Sequence, residues 1–370
     1  MAYVRTCLIV NPNAGRKAGL TTNAFGVDDA RALLERHQIQ ADIWQTDRPG
    51  HASELARKAA RERYRRVIAA GGDGTVEEVA EGLVGTAVEL GVLPLGSIMN
   101  IARMLGIPRD LDAAAQVIKE RRVARIDVGR ATTQARSAFF IEAAGVGVDA
   151  GLFAYVNQID RGNWRTLLPL VRFMWRYRPR RLILKLDGKT LRFRAMMVSV
   201  ANGPYVGAAL AVAPDARLDD HRLDVKVFTR FGKLELLRHF VSIAGGRRVY
   251  NPKVKAFRAR TVDVIPDRPM MVHGDSRPLA TTPARFEVVP SALAVIVGGE
   301  PGCLPALRNV PPAQEPTDEV DPASDAAVDG TLPAPSTGGA EVAAILSTKP
   351  SSSDSPASEP PVPAPPAAPK

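Results

Sequence analysis

A helix-flanked, parallel α/β domain followed by a β-rich, mostly antiparallel sandwich domain is the fold class this sequence predicts. Three observations predict it. Strand and helix signals alternate through roughly the first 125 residues, the alternation that marks a parallel sheet. From about Ile126 short β-rich runs divided by turn residues replace them. The last 67 residues then lose the means to pack.

Taken in order, Cys7–Val10 is a short apolar run stopped by Asn11-Pro12. Ala30, Leu33 and Leu34 follow at helical spacing. Ala41–Gln45 reads as a strand, and Ser53–Arg63 as a helix with Leu55, Ala59 and Ala60 on its apolar face. Val67–Ala70 is a buried strand running into glycines. Thr75–Leu83 is helical, Gly91–Leu95 is a strand and Asp110–Lys119 a further helix. The second domain's runs are Phe139–Ala143, Leu182–Leu186, Met196–Ala201, Leu223–Phe228, Val262–Ile265 and Phe286–Val289, interrupted by a helical stretch at Leu167–Trp175. The domain limits on this reading are 1–127 and 128–289. Residues 304–370 hold 15 of the 30 prolines and no aromatic residue, so this acidic tail is expected to be disordered.

Composition narrows the class. No run approaches the roughly 18 uninterrupted apolar residues of a membrane span. The first ten residues lead straight into Asn11-Pro12, a buried strand rather than a signal peptide. Two cysteines, Cys7 and Cys303, cannot build a disulfide framework, which points to the cytosol. Net charge is +10, but the tail from Leu304 carries −6, leaving +16 on the body. Such a body favours an anionic partner: a nucleotide, a nucleic acid or an acidic membrane surface.

The sharpest local signal is Gly71-Gly72-Asp73-Gly74-Thr75, placed between a strand and a helix. Glycines there permit positive φ and close approach of backbone N–H groups to phosphate oxygens, and a helix starting near Thr75 adds its dipole. No Lys-Ser/Thr pair follows, so this is not a Walker loop, nor does the spacing fit a dinucleotide fingerprint. Asn11-Pro12-Asn13-Ala14-Gly15 ends the first strand, and Pro94-Leu95-Gly96-Ser97 follows the fourth. In an open parallel sheet such loops converge on one crevice, so the three predict one nucleotide site.

These segments resemble, in order and spacing, the nucleotide motifs of the diacylglycerol kinase catalytic-domain family, which includes bacterial lipid kinases and sphingosine kinases. Gly145-Val146-Gly147-Val148-Asp149-Ala150, Ala201-Asn202-Gly203 and Ala213-Pro214-Asp215-Ala216 continue the likeness, which runs from about residue 4 to 298. The resemblance implies a cleft between two domains, with final strands at about 290–300 returning to the first. It implies ATP contacts from Asn11, Pro12, Asn13, Ala14, Gly15, Thr46, Gly71, Gly72, Asp73, Gly74, Thr75, Val76, Glu77 and Ser97. Asp275, in Asp275-Ser276-Arg277-Pro278, falls where the family has the base of its Asp-Gly-Glu-Pro segment. A competing alignment puts His273 in that role, although the flanking proline and strand pattern fit Asp275 without a gap. Mg²⁺ is expected with the triphosphate, and Asp73 lies where it would help organise both. Asp220, with the carbonyls of Arg217 and Arg222, matches a second, structural Mg²⁺ site.

Departures from the family's pattern matter too. Ser97 replaces Thr, Met99-Asn100 replaces an Asn-Asp pair, His221 replaces Gly, and Arg277 replaces Glu. A guanidinium beside the base would lower the Asp275 pKa and weaken it. Seven arginines, Trp164 and Trp175 lie between Arg161 and Arg181, with no acidic residue. That composition suits a helix at an anionic bilayer surface, and equally a core-packed helix with solvated arginines. No nucleic-acid motif accompanies it. The expectation is a cytoplasmic, peripherally membrane-associated lipid kinase, with homodimerisation left open. Two alternatives stand beside it: a soluble-substrate kinase like NAD kinase, and a catalytically weak lipid- or nucleotide-binding protein.

Overall fold

The computed structural model describes residues 4–14, 16–17, 20–21, 25–148, 177–207, 210–229, 231–232, 235, 238, 253–275 and 277–299. Gly15, the expected helix at Leu167–Trp175, the arginine-rich segment up to Arg176 and the tail lie outside them. Strand β1 (Thr6–Val10) is buried at every residue and is followed by a small antiparallel hairpin, β2 (Arg16–Lys17) and β3 (Leu20–Thr21). Helix α1 (Val27–Arg36) buries Ala30, Leu33 and Leu34, the residues whose spacing announced it. Then come β4 (Asp42–Gln45), α2 (His51–Arg61), β5 (Arg66–Gly71), α3 (Asp73–Leu83) and β6 (Glu89–Pro94). The spatial order is β4-β1-β5-β6, every pair parallel. Burial of β1, β5 and β6 at each position requires both faces to be covered, as in an α/β sheet.

Two helices begin earlier than their apolar spacing suggested. Helix α2 starts at His51 because Gly50, at φ +82°, turns the chain into it, and it ends before Arg63 at φ +61°. Its buried face is Ala52, Ala56 and Ala59, with Leu55 and Ala60 only partly covered. Those alanines let α3 cross closely: a Cβ on Gly82 would lie 2.7 Å from the Ala56 Cβ. Helix α3 starts at Asp73, not Thr75, with Gly72 as its cap. The short α4 (Asn100–Met104) and α5 (Leu111–Glu120) complete this half. The Asp110 side chain caps α5 by accepting the Ala113 N–H.

The antiparallel half starts at β7 (Val123–Thr133), a strand that composition did not reveal. Then come β8 (Ser137–Phe140), β9 (Ala143–Gly147), β10 (Arg180–Leu186), β11 (Lys189–Ala201), β12 (Leu223–Thr229) and β13 (Val254–Ala259). The last four are β14 (Thr261–Pro266), β15 (Met271–Gly274), β16 (Arg277–Thr281) and β17 (Ala284–Ile296). The expected strand Phe139–Ala143 is in fact two, β8 and β9, broken at Ile141-Glu142. Inward-facing Leu182, Leu184, Val198, Val200, Val225, Val227, Val262, Val264 and Phe286 form this half's core.

Strand β17 joins the halves. It pairs with β7 along its length, shifts register between Val289 and Leu293, and then lies parallel to β6 through Ala294 and Val295. The expected run Phe286–Val289 and the expected return at about 290–300 are one strand, uninterrupted at Pro290. It continues because the chain bulges there: Ser291 takes φ +48° and gives its N–H to Asp127 Oδ1 at 2.8 Å.

Candidate active site

The loops after β1, β4, β5 and β6 lie side by side because their strands do. Asn11 anchors the first to the third: its N–H reaches the Ala70 carbonyl at 3.0 Å and its Nδ2 donates to Thr75 Oγ1 at 2.9 Å. Asn11 Oδ1 accepts the Asn13 N–H, which turns Pro12, Asn13 and Ala14 over the sheet edge. Thr46, buried, donates its N–H to Val10 O. Leu95 donates to Gly71 O at 2.9 Å, and Ile101 N–H to Asp73 Oδ1 at 3.0 Å, so the last two loops interlock. Asn11–Ala14, Thr46, Gly71–Glu77 and Ser97 are thereby brought to one end of the sheet.

The glycines serve here in a way the motif did not show. None of Gly71, Gly72 and Gly74 has positive φ. Their use is close approach: a Cβ on Gly71 would sit 2.4 Å from the Thr75 Cβ, and one on Gly96 2.9 Å from the Gly72 Cα. Val76 packs fully into the core, while Glu77 is buried on the same helix. Ser97 is exposed, and its carbonyl accepts from Arg109. Met99, at φ +57°, turns its sulfur onto the Gly96 N–H at 3.2 Å. One loop N–H is thus taken up by the residue that departs from the expected Asn.

Asp275 stands at φ +47° between β15 and β16 and is 5% exposed. Its carboxylate accepts the N–H groups of Ile141, Glu142 and Ala143 at 2.8, 2.9 and 3.1 Å. Its own N–H donates to Ala143 O at 2.8 Å. The break between β8 and β9 therefore exists to face three amides toward this side chain. Burial pushes the Asp275 pKa up to about 6 against the pull of those three N–H bonds and of Arg277. Arg277 does act in the expected direction, but burial outweighs it, so the base is strengthened and not weakened. His273 is buried in β15, its Nδ1 within 3.1 Å of the Asp275 carbonyl. Arg277 Nη1 donates to Glu81 Oε2 at 2.7 Å, which ties β16 to α3.

Residues 5–131 match the family model described as the diacylglycerol kinase catalytic domain, and residues 142–297 that of a YegS C-terminal NAD kinase beta sandwich-like domain. The chain therefore carries a diacylglycerol kinase catalytic domain followed by a YegS-type C-terminal domain. A diacylglycerol kinase of Bacillus subtilis (strain 168) is 29% identical over 296 residues, covering 76% of this chain and 92% of that protein. Another, of Staphylococcus haemolyticus (strain JCSC1435), is 24% identical over 291 residues, 76% of this chain and 86% of that one. A solved structure of a putative diacylglycerol kinase from Bacillus anthracis str. Sterne shares the fold at TM-score 0.63 and 23% identity, covering 80% of this chain and 99% of that one.

Two further residues, Glu142 and Asn202, are buried next to the amide cradle of Asp275. Glu142 is 5% exposed and accepts from Asn100 Nδ2 at 2.9 Å. Asn202, fully buried, donates through Nδ2 to Asp127 O and Ile141 O, both at 3.0 Å. Asn202 and Gly203 also give their N–H groups to Glu142 O. A carboxylate inside the apolar run Phe139–Ala144 was the signal that could have exposed Glu142, because an unexplained charge in a buried strand needs a use.

The Asp220 group stands elsewhere, before β12. Asp220 Oδ1 accepts the Arg222 N–H at 3.1 Å and Oδ2 lies 3.9 Å from Arg258, while Arg217 pairs with Asp219. His221, at φ +59°, turns back to Asp127, its N–H donating at 2.6 Å and its ring at 2.8 Å. Burial raises the Asp220 pKa. Among the described residues no group of three or more His, Cys, Asp or Glu is arranged to hold a metal ion.

Proposed function

We propose that this protein is an ATP-dependent lipid kinase that transfers the γ-phosphoryl group to a hydroxyl of diacylglycerol or a related membrane lipid. The observation that carries the reading is the Arg277–Glu81 bridge, because it ties the strand beginning two residues after Asp275 to the helix of the glycine loop. A buried carboxylate with a pKa of about 6 is ionised at neutral pH and still basic enough to take a hydroxyl proton.

In this mechanism the first turn of α3 at Gly72–Gly74 receives the phosphates and favours their charge, while the loops at Asn11–Ala14 and Gly96-Ser97 wall the position. Asp275 accepts the proton as the lipid oxygen attacks the γ-phosphorus, and ADP leaves. Magnesium bound with ATP would neutralise charge that accumulates on the phosphates. Asp73, whose carboxylate already accepts the Ile101 N–H, would help hold the magnesium-bound nucleotide. For a structural cation at Asp220 the donors would be its carboxylate and the carbonyls of Arg217 and Arg222. Arg258 already supplies positive charge there, so a cation would have to share that carboxylate.

Among the described residues no helix is long and apolar enough to cross a membrane. The arginine- and tryptophan-bearing segment Arg161–Arg181 supports docking on an anionic bilayer, where the acceptor would be met. The likeness of residues 142–297 to an NAD kinase-like sandwich keeps a soluble acceptor as second reading. Labelled ATP offered with a panel of lipids in mixed micelles, and separately with NAD, decides between them. Label entering a lipid is the expected result. Label entering NAD alone, or nucleotide binding with no transfer, overturns it.

A further inference from the structure

Glu142 and Asn100 present a matched pair of anomalies. Asn100 is 1% exposed, and its Nδ2 donates to Glu142 Oε2 at 2.9 Å and to the Gly207 carbonyl at 2.8 Å, yet its Oδ1 is buried without a partner. A buried acceptor left unmet forfeits its water without replacement and is destabilising. Glu142 is buried beside further acids: Asp275 between β15 and β16, and Glu77 and Asp73 on α3. The nearby cation, Arg277, is committed to Glu81, and His273 on β15 is turned to the Asp275 carbonyl.

One proton answers both anomalies. We propose that Glu142 is a neutral carboxylic acid whose O–H is given to Asn100 Oδ1 while Asn100 Nδ2 donates back. It is thereby a positioning residue that locks α4 to the cradle of Asp275 without adding charge where a triphosphate binds. An acid and a carboxamide carry complementary donors and acceptors, and only the protonated acid can complete the pair. Burial first, then the charges of Asp275, Glu77 and Asp73, drive the Glu142 pKa well above the ordinary carboxylate value, against the pull of the Asn100 bond. The positioning role rests on the kinase reading, whereas the protonation does not.

The full chain tests it, with Glu142→Gln as a permanent copy of the protonated acid. Above neutral pH the infrared spectrum of the wild type is expected to contain the carbonyl stretch of a protonated carboxyl, absent from the variant. Because the folded pKa is raised, the stability from this proton is complete below the unfolded value and lost as pH rises through the folded one. The melting temperature of Glu142→Gln should therefore gain on the wild type with rising pH. No such stretch, a gap that does not change with pH, or abolished transfer in Glu142→Gln alone would overturn the proposal. Should the variant not fold, carbon-13 labelling of glutamate must shift the wild-type stretch, and an unshifted one overturns it. A present stretch with no lipid phosphorylated by either protein supports the proton and sinks only the kinase reading.

Discussion

Arg277 Nη1 donates to Oε2 of Glu81 at 2.7 Å, linking the start of β16 to the last turn of α3 across 196 residues of chain. Both side chains are largely buried, and Arg57 stands 3.6 Å from the other oxygen of Glu81. A guanidinium at this position first reads as damage to a base, yet its charge is spent on holding the base's strand to the phosphate helix. Arg277→Glu should place two carboxylates together and cost about 1–3 kcal/mol, between the exposed and buried limits for ion pairs. The double exchange Arg277→Glu with Glu81→Arg should recover most of it in urea melts. No recovery would mean the pair does not act as a unit.

Asp275→Asn should lower turnover by about 10²–10⁴-fold, the range of general base catalysis, while ATP affinity stays unchanged. The amide cannot take a proton, and its NH2 must face at least one of the three backbone N–H groups, so some stability is lost along with the turnover. Retained turnover would move the base, with His273 the first candidate.

The activity profile should follow Asp275. Its pKa is raised to about 6, so the wild type should lose kcat/KM as pH falls through that value and the base becomes protonated. Arg277 pulls this pKa down, so Arg277→Gln should move the acid limb to higher pH. On stability the sign is opposite: the neutral form is favoured by burial, so stability is complete below the unfolded carboxyl value and falls as pH rises through about 6. An acid limb unmoved in Arg277→Gln would show that another group sets it.

How far the chain could be read without coordinates depended on whether a signal was local. Val67–Ala70 running into glycines placed β5 and its loop within one residue at each end, because apolar runs and glycines are local cues. The same cues missed β7 and gave only the Phe286–Val289 part of β17, since both strands are held by pairing with each other across about 160 residues of sequence. Asp275 was found by its flanking pattern, but its strength as a base depends on burial and on three amides from residues 141–143. Those amides face it only because β8 and β9 part at Ile141-Glu142. No spacing rule anticipates that break.

Gly96→Ala tests the interlocked loops. Its Cβ would meet Met99 Sδ at 2.8 Å and the Gly72 Cα at 2.9 Å, and a backbone atom cannot swing aside. Displacing the loops should cost about 1–3 kcal/mol of ATP affinity, the range of overpacking, read as a raised Kd with lipid affinity little changed. An unchanged Kd would mean the phosphates do not depend on this approach.

Asn202→Ala separates the cradle from the nucleotide loops. The side chain bonds Ile141 O and Asp127 O, so its loss leaves two buried carbonyls without those donors. At about 1–3 kcal/mol for each such group, stability should fall by about 2–6 kcal/mol. Ile141 also gives its N–H to Asp275, so a loosened Ile141 should disturb the base before it disturbs Asn11, Gly71 or Ser97. Lower kcat with an unchanged Kd for ATP is the expected signature, measured well below the melting temperature. Equal losses in both would mean that Asn202 supports the whole sheet and not the base in particular.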